Sequence, residues 1–373
     1  MSTFTVPIVT VKEVIKHPNA DSLDLITFNE IGWRCVDKLG VRKPGDKVVY
    51  IPIDSMVDTK REEFAFLAPK AKPDGRFRIR TVKLRGEVSQ GLIVDCPAAL
   101  RTEMTDQTPE PGELIINPVM FPVVGLDCSY HFDIKKYEPQ EYGHTLSANQ
   151  KGFYPSWLPK TDAERYQNFN RDIEQERSTV FGASLKLDGT SMTVFEDLDR
   201  EDDVIGVCSR NFELYEKDAT GGGNIYWQTA RSQDLITKLQ DMRRFLRCKK
   251  IALQGELCGP GIQGNKMGLD KVTFFLFDIY TVDDTSSGYV NYAKFMEYAN
   301  LFQLQTVPVL WVETLENKLG FPFDFSFISD LKYPNGTPAE GVVFVSAQEK
   351  YVGKLGRLKF KFINPTFLLK YEG

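Results

Sequence analysis

Histidine is scarce in this sequence, and its cysteines follow no regular pattern. The chain has only three histidines, and its six cysteines include no Cys-x-x-Cys pair. So few imidazoles weaken any hypothesis of a histidine-based metal site or catalytic triad. Scattered cysteines in a chain of this length predict free thiols of an intracellular protein rather than a disulfide framework or a zinc site. The six are Cys35, Cys96, Cys128, Cys208, Cys248 and Cys258.

Long apolar runs are also absent, as is an excess of positive charge. No stretch of about 18 apolar residues occurs, so we expect no membrane-spanning helix and no membrane partner. Residues 1–15 lack the basic segment and apolar core of a secretory signal, so we expect a soluble protein of the cytoplasm or the nucleus. The 46 basic and 51 acidic side chains give a net charge of −5. This charge excludes a surface covered in basic residues but allows a local basic groove.

The first hundred residues predict a small β-barrel. A chain of 373 residues is too long for one compact core, so we expect two domains. Short alternating runs are separated here by turn sequences such as Pro44-Gly45 and Asp74-Gly75. The runs lie at residues 5–14, 23–28, 47–53, 77–84 and 91–94. Five short strands favour an OB-type barrel over residues 1–105, with an SH3-like barrel as the alternative.

The rest of the chain predicts a connector followed by an α+β domain. Residues 106–158 contain proline and glycine turns and little periodicity, so we predict a connector. A capping box at Thr161 and Glu164 predicts the start of a helix, and residues 235–246 have helical apolar spacing. The predicted strands lie at residues 250–253, 272–280, 341–345 and 357–362. We therefore predict a mixed α+β domain over residues 159–373.

An alternating stretch around residue 186 separates two faces of a predicted strand. The apolar face holds Phe181, Ala183, Leu185 and Leu187, and the other face holds Gly182, Ser184, Lys186 and Asp188. Because side chains alternate along a strand, the first face predicts core and the second predicts the floor of a pocket. The alternative is an exposed strand face that ends in an Asp-Gly hairpin turn.

Short motifs that follow Lys186 in order favour the pocket. The string KLDG at 186–189 resembles the first motif of the covalent nucleotidyltransferases, the superfamily of polynucleotide ligases and mRNA-capping enzymes. Strings similar to the later motifs are SRN (209–211), LQGELCG (253–259), FFLFDIY (274–280), AEGVVF (339–344) and RLKFKF (357–362). The resemblance implies a nucleotidyltransferase domain, with an ATP-grasp-like ligase fold of antiparallel sheets and flanking helices.

The resemblance also implies that Lys186 attacks the α-phosphorus of a nucleotide, forms lysyl-AMP and releases pyrophosphate. A lysine attacks only as the neutral amine, so we expect its pKa to lie well below the usual value of about 10.4. Burial and nearby cations would both lower this pKa. Lys359 and Lys361 alternate on a predicted strand and are expected to stabilise the phosphate charge of the transition state. A basic edge strand that guards against aggregation is the alternative for these two lysines.

Other motif positions are implied to bind the nucleotide and a divalent metal. Asp188, Glu256 and Glu340 are expected at a Mg or Mn site, and Glu256 is also expected at the ribose. Phe277 is expected to stack on adenine, with core packing as the alternative. Arg210 is expected to contact the sugar or a substrate phosphate.

The positions just before Lys186 depart from the family pattern. Many ligases carry a glutamate there that helps to read adenine, whereas this chain has Ser184 and Leu185. We therefore expect the backbone at Leu185 to bind the base.

The order of the domains resembles that of the Naegleria-type RNA ligases. A barrel precedes the motifs and about a dozen residues follow Lys361, whereas DNA ligases and capping enzymes place an OB domain after the fifth motif. Residues 17–25 and 84–95 are similar to OB modules of the tRNA-binding type. The segment 159–169 resembles one that these ligases carry before the lysine strand, which implies that Arg165 and Gln167 contact nucleotide or RNA.

Three arginines of the barrel suggest where RNA binds. Arg76, Arg78 and Arg80 alternate along a predicted strand. A basic face on an OB-type barrel suits a phosphate backbone, so we expect these residues to bind RNA. The alternative is a solvated strand face.

Together these observations predict an ATP-dependent RNA ligase that joins 3′-OH and 5′-phosphate RNA ends in RNA repair. The expected intermediates are lysyl-AMP and RNA-adenylate, and the expected ligands are ATP, Mg or Mn, and nicked or single-stranded RNA ends. We expect a monomer. The alternatives are a GTP-dependent RNA guanylyltransferase and a non-catalytic RNA-binding protein with a decayed nucleotidyltransferase fold.

Overall fold

The computed structural model describes residues 4–97, 101–103, 120–137, 149–217 and 221–371. These residues divide into two compact units. The first unit holds the described residues within 1–141, 167–171 and 368–373, and the second holds those within 142–166 and 172–367. Of the connector predicted at 106–158, residues 106–119 and 138–148 lie outside the described residues. Its described part is divided, with 120–137 in the first unit and 149–158 in the second.

The first unit is built from short antiparallel strands. They are β1 (Ile8–Lys16), β2 (Leu23–Phe28), β3 (Arg34–Lys38), β4 (Lys47–Ile51), β5 (Ser55–Asp58), β6 (Arg76–Arg78), β7 (Thr81–Leu84), β8 (Glu87–Gln90), β9 (Leu92–Asp95), β10 (Arg101–Glu103), β11 (Met120–Pro122) and β12 (Lys135–Lys136). The sheets have the strand orders β3-β2-β1-β4-β9, β12-β5-β6, β7-β8 and β10-β11. A 3-10 helix spans Glu62–Lys70.

Both faces of the five-stranded sheet are buried. Ile8 packs in one apolar cluster with Phe64, and the next residue, Val9, packs in another with Trp33 and Tyr50. Since successive side chains of a strand point to opposite faces, β1 contributes to both clusters.

The predicted strands of this unit are largely found, but one of them is interrupted, and β3, β5, β8, β10, β11 and β12 were not predicted. The run at 23–28 coincides with β2, but the run at 77–84 is interrupted at Ile79 and Arg80, between β6 and β7. Strand β3 was not predicted. Its only fully buried side chain is Cys35, so its alternating signal is weak.

The second unit is built mainly from two larger sheets and their helices. The remaining strands are β13 (Gln150–Phe153), β14 (Glu164–Arg165), β15 (Val180–Lys186), β16 (Thr190–Asp197), β17 (Ile205–Cys208), β18 (Phe212–Leu214), β19 (Lys250–Cys258), β20 (Thr273–Val282), β21 (Ser287–Tyr289), β22 (Val309–Thr314), β23 (Gly341–Ser346), β24 (Tyr351–Val352), β25 (Gly356–Arg357) and β26 (Lys359–Ile363). The α-helices are α1 (Asn170–Gln175), α2 (Ile225–Ser232), α3 (Leu235–Leu246), α4 (Tyr292–Leu301), α5 (Leu315–Leu319) and α6 (Pro365–Tyr371). The first two residues of α1 and the last four of α6 belong to the first unit. The larger sheets have the orders β13-β18-β17-β16-β19-β20-β21 and β14-β26-β23-β15-β22.

Helices cover one face of the seven-stranded sheet. Leu253 and Ile279 of the sheet share a buried cluster with Trp227 of α2, Leu239 of α3 and Phe295 of α4. The helix predicted at residues 235–246 is confirmed, and its buried side chains recur at helical spacing. None of the helices in the described ranges is long and apolar enough to cross a membrane.

The helix start predicted at Thr161 is wrong. Glu164 and Arg165 form β14, which pairs in parallel with β26, and the first helical turn after it is a 3-10 turn at Tyr166–Asn168. The hydroxyl of Thr161 lies 3.4 Å from that of Ser191. Pairing with a distant strand therefore overrides a local capping signal.

Candidate active site

The second unit contains a cavity of about 340 Å³ lined by residues of both large sheets. The five-stranded sheet of this unit, β14-β26-β23-β15-β22, contributes Lys186, Lys359 and Lys361 to the lining. The seven-stranded sheet contributes Glu256 and Phe277. Leu185, Asp188, Arg210 and Glu340 also line the cavity. Residues that the sequence placed in separate motifs therefore meet at one site.

Strand register explains why several of these side chains face the same way. Ser184 of β15 pairs with Val343 of β23, which pairs in turn with Lys361 of β26. Arg165 of β14 pairs with Lys361 on its other side. Directly paired residues project from the same face of a sheet. Since Lys359 precedes Lys361 by two residues, it shares this face, as predicted from the sequence.

Lys186 lies at the end of β15 and its amine contacts a carboxylate. Its Nζ donates a hydrogen bond of 2.7 Å to Oε2 of Glu340, and 24% of the side chain is exposed. Burial lowers the pKa of Lys186, but the charges of Glu340, Glu256 and Asp188 raise it more, so the pKa lies above its ordinary value. The sequence predicted that the pKa of Lys186 lies below its ordinary value. With only the residues of the chain considered, this prediction is wrong, because the charges of three carboxylates raise the pKa more than burial lowers it.

The carboxylates around Lys186 are themselves perturbed. Burial, opposed by the charge of Lys186 and supported by that of Glu340, raises the pKa of Glu256 to about 7. Burial also raises the pKa of Asp188, although an ion pair with Lys266 opposes the shift. Negative charge is thus crowded here beyond what the nearby lysines neutralise.

The acidic residues do not form a ready-made metal cage. Across the described ranges, no three Cys, His, Asp or Glu residues are grouped so that they could hold a metal ion. Asp188, Glu256 and Glu340 could offer a metal only a few direct or water-mediated contacts. Mg²⁺ is commonly bound in this way, because it keeps several of its waters.

Lys361 and Lys359 have different surroundings. Burial, followed by the charges of Lys186 and Arg165, lowers the pKa of Lys361 to about 8. Lys359 instead donates a 2.6 Å hydrogen bond to Oδ2 of the buried Asp278.

Phe277 lines the cavity because β20 contains a bulge. Asp278 pairs with Gln254 and Leu276 pairs with Gly255, so Phe277 between them has no partner on β19. A bulge can re-aim a side chain next to a site. Phe275 is buried in the apolar cluster with Leu185. The centroid of the Phe277 ring lies 4.8 Å from Nζ of Lys359.

Arg210 is held at the edge of the cavity by an exposed ion pair. Its Nη2 lies 3.0 Å from Oδ2 of Asp162, and more than half of each side chain is exposed. Lys160 donates to the backbone carbonyl of Arg210 at 2.7 Å. Exposed pairs contribute little free energy, so a phosphate can compete for Arg210 at small cost.

Leu185 and Gln167 are placed differently from the residues above. The amide of Leu185 donates to the carbonyl of Pro308 at 2.9 Å, so it is not free to read a base. Gln167 belongs to the first unit, where its carbonyl accepts a 2.8 Å hydrogen bond from the amide of Gly32. A nucleotide contact from either residue stays a prediction.

The three arginines of the first unit do not form the expected uniform basic face. Arg76 pairs with Asp133, and Arg78 pairs with Asp54 and lies over the ring of Tyr137. Arg80 lies outside the strands, between β6 and β7, so it does not continue their alternation. RNA binding by these arginines stays a prediction.

Several residues that support the site were given no role from the sequence, although Asp278 and Arg357 stand in the motif strings. Asp278 follows Phe277 and is a charged residue within an apolar strand, which is a signal that could have been used. Arg357 donates to Asp278 at 2.9 Å, and Lys266 pairs with Asp188. The residues that meet in these pairs are far apart in sequence, so no local pattern joins them.

Comparison with known proteins assigns both parts of the chain. Residues 180–363 match the RNA ligase family, and residues 5–96 match an OB-fold domain family. This confirms the OB-type barrel followed by a nucleotidyltransferase domain. No curated protein sequence matches the chain.

Solved structures of Naegleria gruberi RNA ligase are similar over nearly the full length. A lysine-to-alanine mutant with ATP and Mn is 30% identical, with a TM-score of 0.74 and 99% of each chain covered. A glutamate-to-alanine mutant with AMP and Mn is also 30% identical, with a TM-score of 0.73 and 99% of each chain covered. The form with pyrophosphate is 32% identical, with a TM-score of 0.73, and the match covers 99% of this chain and 98% of the other.

Proposed function

Since this chain belongs to the RNA ligase family and is an ATP-dependent RNA ligase, we propose that Lys186 is the residue it adenylates. The observation that carries this proposal is the position of the Lys186 amine. It lies 2.7 Å from Glu340 in the cavity that Lys359, Lys361 and Phe277 also line. The cavity thus combines a nucleophile, cations for phosphate and an aromatic ring for a base.

In the first step, Nζ of Lys186 attacks the α-phosphorus of ATP. A nitrogen–phosphorus bond forms, the bond to the β-phosphate oxygen breaks, and pyrophosphate leaves. Lys186 is protonated at rest, so Nζ loses two protons: one before the attack and one from the nitrogen–phosphorus adduct. Oε2 of Glu340 is positioned to accept the first because it already accepts a hydrogen bond from Nζ, and the second passes to solvent or to the leaving pyrophosphate.

Two lysines of β26 stabilise the phosphates. Lys361 faces the cavity on the same sheet face as Ser184 and Val343, and Lys359 is oriented by Asp278. Fixed positive charges in a partly buried site stabilise the transition state more than mobile ions in water would. Phe277 offers a ring face on which adenine can stack.

The acidic residues fit a divalent cation, Mg or Mn. The raised pKa values of Asp188 and Glu256 reflect burial and a local excess of negative charge, which a cation would relieve. Asp188, Glu256 and Glu340 would hold it. A bound cation would neutralise charges that keep Lys186 protonated and would stabilise phosphate oxygens.

Two further steps complete ligation. AMP passes from Lys186 to the 5′-phosphate of an RNA end, and the 3′-OH of a second end then displaces AMP and forms the phosphodiester. Arg165 and Arg210 are proposed to contact nucleotide or RNA, and Arg76, Arg78 and Arg80 to contact RNA. We propose that the chain acts as a monomer in RNA repair, on nicked duplex or single-stranded ends.

The two rival functions lose their support. A guanylyltransferase is disfavoured by the match to the RNA ligase family. A decayed, non-catalytic protein is disfavoured because Lys186, Glu256, Glu340, Lys359 and Lys361 are all present, and all five line one cavity.

Labelling with α-³²P-ATP and Mg or Mn tests the nucleophile. We expect the wild type to become labelled and Lys186→Ala to stay unlabelled, because only the amine can form the phosphoramide. Lys294→Ala is the matched control, since Lys294 is an exposed lysine that pairs with Glu297 outside the cavity lining and should label like the wild type. Labelling of Lys186→Ala would contradict the assignment.

The form of the substrate needs a second experiment. End-labelled RNA and DNA strands are presented as matched nicks and as free single strands, and sealed products are separated by size. Sealing of RNA ends by the wild type but not by Lys186→Ala supports the proposal. Equal sealing by both would contradict it.

A further inference from the structure

One buried tyrosine hydroxyl contacts the backbone at three positions of the candidate active site. Tyr333 lies in the segment between the 3-10 helix Ser326–Asp330 and β23, and 2% of it is exposed. Its hydroxyl donates to the carbonyl of Lys186 at 2.9 Å. It accepts from the amide of Asp188 at 3.1 Å and from the amide of Glu340 at 3.2 Å.

These bonds use the full capacity of the hydroxyl. A phenol has one proton to donate and can accept about two hydrogen bonds. The ladder between β15 and β23 ends where Lys186 pairs with Gly341, so Asp188 and Glu340 lie just beyond it. Beyond the end of this ladder, the side chain of Tyr333 therefore links the ends of β15 and β23 in place of backbone hydrogen bonds.

The segment that carries Tyr333 is itself fixed. The amide of Tyr333 donates to the carbonyl of Thr337 at 2.8 Å, and that of Ala339 donates to Leu331 at 2.9 Å. The buried side chain of Asn364 donates to the carbonyl of Ala339 at 2.9 Å. The Tyr333 hydroxyl is thus carried by a loop that hydrogen bonds hold in place.

The ring of Tyr333 packs in the same apolar cluster as the residues on either side of Lys186. It belongs to the apolar cluster that contains Leu185 and Leu187, which flank Lys186. The hydroxyl thus joins the backbone at Lys186 to the backbone at Glu340, and the ring packs beside the same strand.

We propose that Tyr333 is a positioning residue that fixes the Lys186 amine against Glu340 and thereby sets the rate of lysine adenylylation. This inference rests on the proposed function of Lys186. Tyr333 does not line the cavity in which ATP would bind. Its loss therefore affects the rate of the step and not the affinity for the nucleotide, since Lys359, Lys361 and Phe277 stay in place.

Tyr333→Phe removes the hydroxyl and keeps the ring. We expect kcat for self-adenylylation to fall on the order of 10- to 100-fold, because a displacement near 1 Å at a reacting group has that effect. KM for ATP should change less than about threefold, because uniform binding contacts are retained. Initial rates of α-³²P-ATP labelling at varied ATP give both constants.

Tyr154→Phe is the matched control. Tyr154 is a half-buried tyrosine of the second unit whose hydroxyl lies 3.0 Å from Thr193 and Gln254, and the residue does not line the cavity. It should lose thermal stability and keep kcat. An equal fall of kcat in Tyr154→Phe at equal loss of Tm would overturn the proposal, as would wild-type kcat in Tyr333→Phe or a rise in KM alone.

A second variant decides the matter if Tyr333→Phe does not fold. The exposed Asn335 accepts from the amide of Thr337 and donates to the carbonyl of Lys266. Asn335→Ala loosens the same loop without opening a core, so kcat should fall several-fold with KM unchanged. Wild-type kcat in that variant would refute the proposal. Failure of the wild type to label would remove the proposed function and this inference together, whereas labelled wild type with normal Tyr333→Phe removes only the inference.

Discussion

Asp278→Asn should both destabilise the second unit and impair lysine adenylylation. The carboxylate of Asp278 is buried and accepts hydrogen bonds from Lys359 at 2.6 Å and from Arg357 at 2.9 Å. Arg357 also bridges to Glu349 and lies 3.6 Å from the ring centroid of Tyr289. The substitution keeps the shape of the side chain and removes its charge.

The size of the stability effect follows from the burial of the network. Removing one partner of a buried ion pair typically costs 3–5 kcal/mol, because the other charge stays desolvated. Asparagine can still accept one hydrogen bond, and Arg357 keeps Glu349, so we expect about 3 kcal/mol, at the lower end. At about 2–4 °C per kcal/mol for a unit of this size, Tm should fall by roughly 6–12 °C.

The pH dependence has a definite sign. Burial raises the pKa of Asp278, but the charges and hydrogen bonds of Lys359 and Arg357 lower it more, so its pKa lies below the ordinary value. A carboxylate with a depressed pKa contributes stability above its unfolded pKa of about 3.9, and this contribution is lost as pH falls through the lower folded pKa. Asp278→Asn should therefore lose less stability than the wild type on acidification below pH 4.

Thermal unfolding at several pH values, with labelling by α-³²P-ATP at a temperature where both proteins are folded, tests these expectations. Labelling should fall at least tenfold, since Lys359 loses the group that orients it. Glu297→Gln neutralises an exposed acid paired with Lys294 and should leave Tm and labelling unchanged. An Asp278→Asn protein with wild-type Tm and wild-type labelling would show that the buried ion pairs of Asp278 neither stabilise the unit nor orient Lys359.

Two further predictions concern a lysine and a glycine of the site. Burial lowers the pKa of Lys361 to about 8, so its charge is lost as pH rises through this value, and KM for ATP should rise between pH 7 and 9. Lys361→Arg keeps its charge and should flatten that rise. An identical rise of KM in both proteins would contradict this prediction. Gly189→Ala should lower Tm and reduce labelling at least tenfold, because a Cβ there would clash with the carbonyl oxygen of Leu257 and lie 2.6 Å from Sγ of Cys258. Gly152→Ala, where a Cβ meets nothing within 4 Å, is its control, and equal behaviour of the two variants in thermal unfolding and labelling would count against the steric argument.

Local patterns were sufficient to predict the floor of the site. The alternation around Lys186 separated core from cavity because a strand has a fixed period of two, and Lys359 and Lys361 faced the same way for the same reason. The order of the motifs then predicted that Glu256 and Glu340 would lie near the lysine. The alternation needed only a short string and its spacing, whereas the positions of the two glutamates were implied by the resemblance to the covalent nucleotidyltransferases.

Features that depend on distant partners were not predictable in this way. The helix start predicted from the capping box at Thr161 is wrong because β14 pairs with β26, which lies almost two hundred residues later in the chain. Arg76 and Arg78 do not form the uniform basic surface that was predicted, because Asp133 and Asp54 neutralise them. A charge seen in sequence does not reveal its partner. The bulge at Phe277 likewise depends on register with β19, which no single strand encodes.

The residues that hold the site are therefore more widely separated than the motifs that mark it. Lys186 is held through Tyr333, 147 positions away, and Lys359 through Asp278, 81 positions away. Each link joins a motif residue to a different segment and is buried, so it forms only when those segments have folded. Because the amine, the phosphate-facing lysine and their supports depend on both large sheets, the catalytic geometry is a property of the whole second unit and not of any one motif.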